Sequence, residues 1–263
     1  MLKNIMVSGI IITLVIVMLP VLYVYVPKLL IKPEGKFTVL MAGRSVTEQW
    51  FRRRELPEFL NELSIWREWP IPHNKHIEDD VYYEQLYLPS PRTNYNKPGF
   101  VYGEQAINAI QKALKEKHFD AMLFKFCFVD FRDSSLKENA DVNEQFHEMT
   151  SFVEDIHGIA KMNNTSLILG TALPILEPDI KSQQLRIRYN QWVEEYSHQH
   201  QDTIKLELFN NLINSDGKLR VDYSLDPGDN DSHLNKKAYE ILEQELSQTL
   251  VNIRNKNYTA PRK

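Results

Sequence analysis

The sequence predicts an α/β fold: a three-layer α/β/α sandwich built on a parallel sheet of about five strands, preceded by a single transmembrane helix. Three observations carry this expectation. Short apolar runs alternate about five times with longer amphipathic stretches, the pattern of strands joined by right-handed helical crossovers. The runs at 120–129 and 166–173 are nearly continuous in apolar residues, as strands covered on both faces are. Residues 5–26 make 22 consecutive positions without a charge.

As a helix, that first run spans roughly 33 Å at about 1.5 Å per residue, against a bilayer core of about 30 Å. Tyr23 and Tyr25 stand near one end, where amphipathic rings favour the headgroup layer. A cleaved signal peptide would have a shorter apolar region and a small-x-small cleavage site, whereas Val24, Tyr25, Val26 and Pro27 are bulky or rigid. A buried core helix rarely needs so long a run that is apolar all round. The expected organisation is an anchor over 1–27, a basic stalk over 28–36, a body of single-domain length over 37–257 and a polar tail over 258–263. Lysines flank both ends of the run, so charge alone does not orient it. A four-residue head followed at once by an apolar run resembles a signal-anchor, which puts the body outside the cytoplasm.

Within the body, 37–42 is a compact β-type run closed by Gly43. Residues 46–63 then carry helical spacing through Val46, Trp50, Leu56 and Leu60, interrupted at Pro57. A strand is expected at 81–88. A helix follows at 103–117, with Ala106, Ile107, Ile110, Ala113 and Leu114 in one stripe. The next strand is 120–129, apolar apart from Lys125, and the next helix 141–162. A strand at 166–173 is closed by Pro174. Helix 180–200, a short strand at 203–208 and a last helix at 234–253 complete the body. That last helix is expected to turn Ala238, Ile241, Leu242, Leu246, Leu250 and Val251 inward.

Composition narrows the function. The 263 residues carry 31 Lys+Arg against 35 Asp+Glu, a net charge of −4. A chain built to neutralise phosphates leans basic, so no nucleic-acid partner is expected. The single cysteine, Cys127, excludes an intrachain disulfide and a thiolate metal cluster.

In sheets of this kind the functional crevice lies at the carboxyl ends of the strands. After the first strand comes Gly43-Arg44-Ser45-Val46-Thr47. Glycine permits a sharp turn, and the following helix start presents backbone N–H groups suited to a developing oxyanion. Ser45 reads either as a nucleophile exposed there or as a helix N-cap. Before the last helix lies Asp229-Asn230-Asp231-Ser232-His233-Leu234-Asn235. A histidine with acids two and four residues upstream can be oriented and made more basic by one of them. The same segment also reads as an acidic surface loop. It lacks the glycine and terminal glutamate spacing of an EF-hand calcium loop.

Taken together, the Gly-x-Ser-x-Thr turn and the Asp-x-His-Leu-Asn segment resemble the SGNH/GDSL hydrolase family over nearly the whole body, from Phe37 to about Ile253. The resemblance implies a serine esterase or acyltransferase of flavodoxin-like fold, with Ser45 as nucleophile and His233 as general base. It implies no metal and no organic cofactor. Arg44 stands where the family's Gly-Asp-Ser block has its acid. The family's usual Asp-x-x-His spacing falls on Asn230. Asp231 gives an Asp-x-His pair of the kind seen in related polysaccharide acetyltransferases, and is preferred because a carboxylate stabilises imidazolium better than an amide does; Asn230 and Asp229 are the alternatives. The oxyanion donors implied are the Ser45 amide with Gly99 or Gly103. The third block falls on Cys127-Phe128-Val129-Asp130, where Val129 replaces the expected asparagine, and Lys125, Asn94 or Asn96 are the candidate substitutes.

The implied partner is an ester-bearing small molecule, glycan or lipid, with the membrane engaged through residues 5–26. The alternatives are an inactive SGNH-like binding or scaffolding protein of the cell envelope, and a phosphate or nucleotide binder using the Gly43–Thr47 turn. The pairs His73/His76 and His198/His200 lack an obvious third metal ligand, and Cys127 reads as an inert core thiol. Residues 52–54 read as a solvated basic face.

Overall fold

The computed structural model describes residues 34–55, 75–88, 103–131, 142–229 and 231–259. Strand β1 (Phe37–Gly43) is buried from Thr38 onward, because helices cover both of its faces. Its side chains alternate as a pleated strand requires. Leu40 and Ala42 enter one core, Val39 and Met41 the other.

The remaining elements follow in order. They are α1 (Ser45–Glu55), β2 (Lys75–Glu78), β3 (Val81–Tyr87), α2 (Glu104–Glu116), β4 (Ala121–Phe124), a 3-10 turn (Phe128–Phe131), α3 (Val142–Met162), β5 (Ser166–Gly170), α4 (Ile180–Gln199), β6 (Thr203–Leu206), a hairpin of β7 (Ser224–Asp226) and β8 (Asp231–Leu234), and α5 (Lys236–Thr259). The main sheet runs β2-β3-β1-β4-β5-β6. Five of these strands are parallel and β2 is antiparallel. Counting the parallel strands alone, their spatial order is 2-1-3-4-5, the flavodoxin-like order. The order in which strands are added therefore reverses between β1 and β4, the point at whose carboxyl ends sheets of this kind form their crevice.

Helices α2, α3 and α4 cover one face through residues such as Ile110, Phe152 and Tyr189. Helices α1 and α5 cover the other through Val46, Trp50, Tyr239 and Leu242. The Asp120 carboxylate accepts from the Thr38 amide at 2.7 Å and its hydroxyl at 2.9 Å, pinning β1 to β4 at their amino ends. On the far side, His157 joins α3 to α4 through the Tyr196 hydroxyl at 2.7 Å and to Asp202 at 3.0 Å.

The α1–α5 contact spans nearly the whole sequence. The Tyr239 hydroxyl donates to Gln49 at 3.2 Å, and the Trp50 indole N–H donates to Glu243. Trp50 and Phe51 are fully buried in this layer.

Several expectations are corrected. The strand expected at 120–129 stops at Phe124, and 128–131 is a 3-10 turn. A buried lysine at 125 and the Asp130 carboxylate, which accepts from the Cys127 amide at 2.8 Å, end the ladder there. The last helix begins at Lys236, because Asn235 caps it and Leu234 belongs to β8. It continues through Thr259, into the expected tail. Val251 is exposed; Ile253 takes the core position that the i, i+4, i+7 spacing from Leu246 reaches. Strand β2 was not expected: its Lys75-His76-Ile77-Glu78 is half-exposed and charged at both ends, as an edge strand is. The expected anchor at 5–26 lies outside the described residues, as do Leu56, Leu60 and most of the stalk. Among the described residues, no helix is long and apolar enough to cross a membrane.

Trp50 is the main apolar tie between α1 and α5. Trp50→Ala is expected to cost about 3–5 kcal/mol in urea unfolding, whereas Tyr239→Phe, which removes one hydrogen bond, costs about 1 kcal/mol.

Candidate active site

At the reversal point, the Gly43 carbonyl accepts from the Leu88 amide at 2.8 Å, which fastens the end of β1 to β3. A Cβ on Gly43 would stand 2.2 Å from Thr47 Oγ1. Only glycine lets the first turn of α1 fold back so tightly on its strand. The first intrahelical bond of α1 runs from the Glu48 amide to the Arg44 carbonyl at 2.9 Å. Arg44 is therefore the N-cap and Ser45 the first helical residue, which corrects the N-cap reading of Ser45. The amides of this turn have no intrahelical acceptor and sit at the positive end of the helix dipole.

Arg44 points inward, where its guanidinium pairs with Asp130 at 3.4 Å; the two side chains are 7% and 0% exposed. Asp130 also accepts from the Cys127 amide, so its carboxylate holds the 128–131 turn and the Arg44 turn together. The arginine that departs from the family pattern thus finds its partner on the neighbouring strand end. Two opposite charges at the two strand ends were the available sequence signal, and it was missed.

His233 reaches the same turn from the other end of the chain. Its ring meets the Phe128 ring edge-on, with centroids 5.0 Å apart. Strand β8, not a loop, carries it. The preceding Ser232 hydroxyl accepts from the Leu176 amide at 3.3 Å, and the following Asn235 donates to the carbonyls of Asp222 and Ser224. Asn235 also caps α5, so His233 is fixed immediately before a helix that itself lies against α1.

The segments carrying Ser45 and His233, about 190 positions apart, therefore meet at one corner. The Arg44 side chain and the His233 ring touch the same four-residue turn. The side chains of Ser45 and of residues 229 and 231 lie outside the described set, as do Asn230, Gly99, Asn94 and Asn96. The backbone of Asp231 pairs with Asp226 in the hairpin. Gly103 is the N-cap of α2, in the opposite helical layer from α1. Val129 offers no side-chain donor.

Lys125 is the other polar group at this edge. It is 1% exposed, and Nζ has no hydrogen-bond partner among the described residues. Burial pushes its ammonium down to about 8; Cys127 and Asp130 oppose the fall. Cys127 is buried, as expected.

A cavity of about 440 Å³ opens at the β6 edge, lined by Thr171, Asn190, Glu194, Lys205 and Glu207 among others. It lies away from the reversal point, and two of its acids are engaged. Glu207 accepts from the amides of Phe209 and Asn210, and Glu194 pairs with Lys205 and His198. Of the metal-spaced histidine pairs, His198 is taken by Glu194 and His200 stacks on Tyr196, while His73 lies outside the described residues. Among the described residues no group of three or more His, Cys, Asp or Glu side chains gathers to hold a metal.

Removing one member of the buried pair strands the other. Asp130→Ala is expected to cost about 3–5 kcal/mol in urea unfolding, and Arg44→Met with Asp130→Leu much less than the two single changes together. Lys125 gives a signed pH effect. The folded chain releases this proton at about 8 and the unfolded chain near 10.5. Stability contributed by this group therefore rises with pH across that window, and the full penalty, on the order of 3 kcal/mol, applies below it. Lys125→Met is expected to unfold later than the wild type at pH 7 and to show no advantage at pH 11, read by denaturation at both values.

Solved structures share this architecture over most of their length. A GDSL-like lipase from Bacteroides thetaiotaomicron matches with a TM-score of 0.53 at 15% identity, over 83% of this chain and 88% of its own. A member of the lipolytic protein G-D-S-L family from Veillonella parvula matches at 0.50 and 11%, over 81% and 98%. No family model matches the chain, and no curated protein does. At these identities the likeness is one of fold: a three-layer α/β sandwich with a mostly parallel sheet, common to this chain and to those proteins.

Proposed function

We propose that the protein is a serine ester hydrolase or acyltransferase in which Ser45 is the nucleophile, His233 the general base and Asp231 the carboxylate that orients the imidazole. The observation that carries this reading is the shared corner. The residue before Ser45 and the ring of His233 both contact the 128–131 turn, and the helices that follow them are bonded to each other. Asp231 stands two residues before His233 in one strand. The fold shared with GDSL lipases supports the same class.

The chemistry follows from these positions. His233 takes the Ser45 hydroxyl proton as the oxygen attacks an ester carbonyl carbon. The carbonyl oxygen becomes an alkoxide in front of the first-turn amides of α1. Collapse expels the alcohol, which leaves with the proton held by His233. Water, or an acceptor hydroxyl, then attacks the acyl-serine and returns the proton through the same histidine. The substrate class is an ester-linked acyl group on a small molecule, glycan or lipid. An anchor at residues 5–26 with the body outside the cytoplasm would put surface glycans and lipids within reach.

A fluorophosphonate probe is expected to label the wild type, and Ser45→Ala to abolish labelling. His233→Ala is expected to slow hydrolysis of a short acyl ester by about 10²–10⁴-fold. Labelling that survives Ser45→Ala removes Ser45 as nucleophile; a wild type that neither labels nor turns over favours a binding protein on the same fold.

A further inference from the structure

Three cations are buried around the 128–131 turn. Arg44 pairs with Asp130, and Arg186 donates to the carbonyls of Leu173 and Phe128 at 3.2 and 3.0 Å. Lys125 is the third, and its ammonium has no hydrogen-bond partner among the described residues. Asp130 is the one carboxylate of this group with a described bond to any of the three. A buried unpaired ammonium is costly, and a protein retains one where something else neutralises it.

The position of Lys125 says what that something meets. Ala42 and Phe124 are the last registered pair of β1 and β4, and Gly43 and Lys125 are the residues that follow them on the two chains. Phe124 likewise pairs with Leu169, and a Cβ on Gly170 would stand 2.8 Å from Lys125 Cβ. Lys125 therefore leaves the sheet between two glycines, on the face that carries α1. There the place of a Gly43 side chain is taken by Thr47 Oγ1, itself buried and without a hydrogen-bond partner among the described residues. An ammonium and a hydroxyl, both buried and both without a hydrogen-bond partner among the described residues, thus stand on strand ends that are neighbours in the sheet, the hydroxyl directly behind the Ser45 turn.

We infer that Lys125 and Thr47 form an anion site beneath the Ser45 turn, which receives the negatively charged oxygen of a tetrahedral ligand and stands in for the amide donor that Val129 cannot supply. The identity of that oxygen as the reaction's alkoxide rests on the proposed esterase reading; the existence of the site does not. The ionisable groups facing Lys125 are Asp130 and Cys127 on its own segment and Arg44 from the β1–α1 turn, while Gly170 and Leu208 close the β5–β6 side without charge.

The test is a calorimetric titration of the full chain with methylphosphonate, a tetrahedral anion, at pH 7. Binding is expected in the wild type, weakened about tenfold or more in Lys125→Met, kept within about threefold in Lys125→Arg, and weakened several-fold in Thr47→Val. It is also expected to fade as the pH passes 8. A flat wild-type titration up to about 50 mM, as a buried water on the two donors would give, overturns the inference. So does a Lys125→Met protein that binds equally well. Failed fluorophosphonate labelling with Lys125-dependent binding intact would sink the esterase reading and leave the anion site standing.

Discussion

Val46, Trp50 and Phe51 bury themselves in the layer that α5 also covers, and the polar edges of the two helices then find each other through Gln49–Tyr239 and Trp50–Glu243. These contacts join residues about 190 positions apart in sequence. Each helix begins within a few residues of a candidate group: α1 at Ser45, α5 three residues after His233. Fixing the helices side by side therefore fixes the two groups at one end of the sandwich. The sheet adds the second coordinate, because the reversal of strand order between β1 and β4 opens the crevice at that same end.

The electrostatics of this corner differ from the apolar packing below it. Burying a charge is expensive unless it is paired, and a paired buried charge rarely adds net stability. Here Arg44, Arg186 and Lys125 are all within the protein, set around a turn with Asp130 at its centre. The arrangement is one that packing alone would not choose. It places three cationic side chains behind the end of β1 where the candidate Ser45 turn begins.

Much of this was legible in the sequence. The alternation of apolar runs and amphipathic stretches marked the five parallel strands, most plainly β4 and β5, which are covered on both faces and apolar along nearly their whole length. The helices at 104–116, 142–162 and 180–199 followed from their stripes. What resisted reading was set by tertiary partners. Strand β4 stops at Phe124 although the apolar run continues, because Asp130 pulls the Cys127 amide out of the ladder. Strand β2 exists through its pairing with β3 and not through any apolar pattern of its own. The two candidate groups stood out because each sits between a strand and a helix start. The pairing of Arg44 with Asp130 did not, since nothing local to either residue announces the other.

The central claim is that an imidazole from residue 233 stands beside the oxygen of residue 45. A phosphonyl group attached to Ser45 turns this into a spectroscopic measurement, because its phosphorus resonance responds to the charge of an adjacent histidine. The resonance is expected to change with pH in the wild type, and that change to vanish in His233→Gln. A phosphorus signal that ignores pH in the wild type, or that titrates unchanged without His233, would contradict the account.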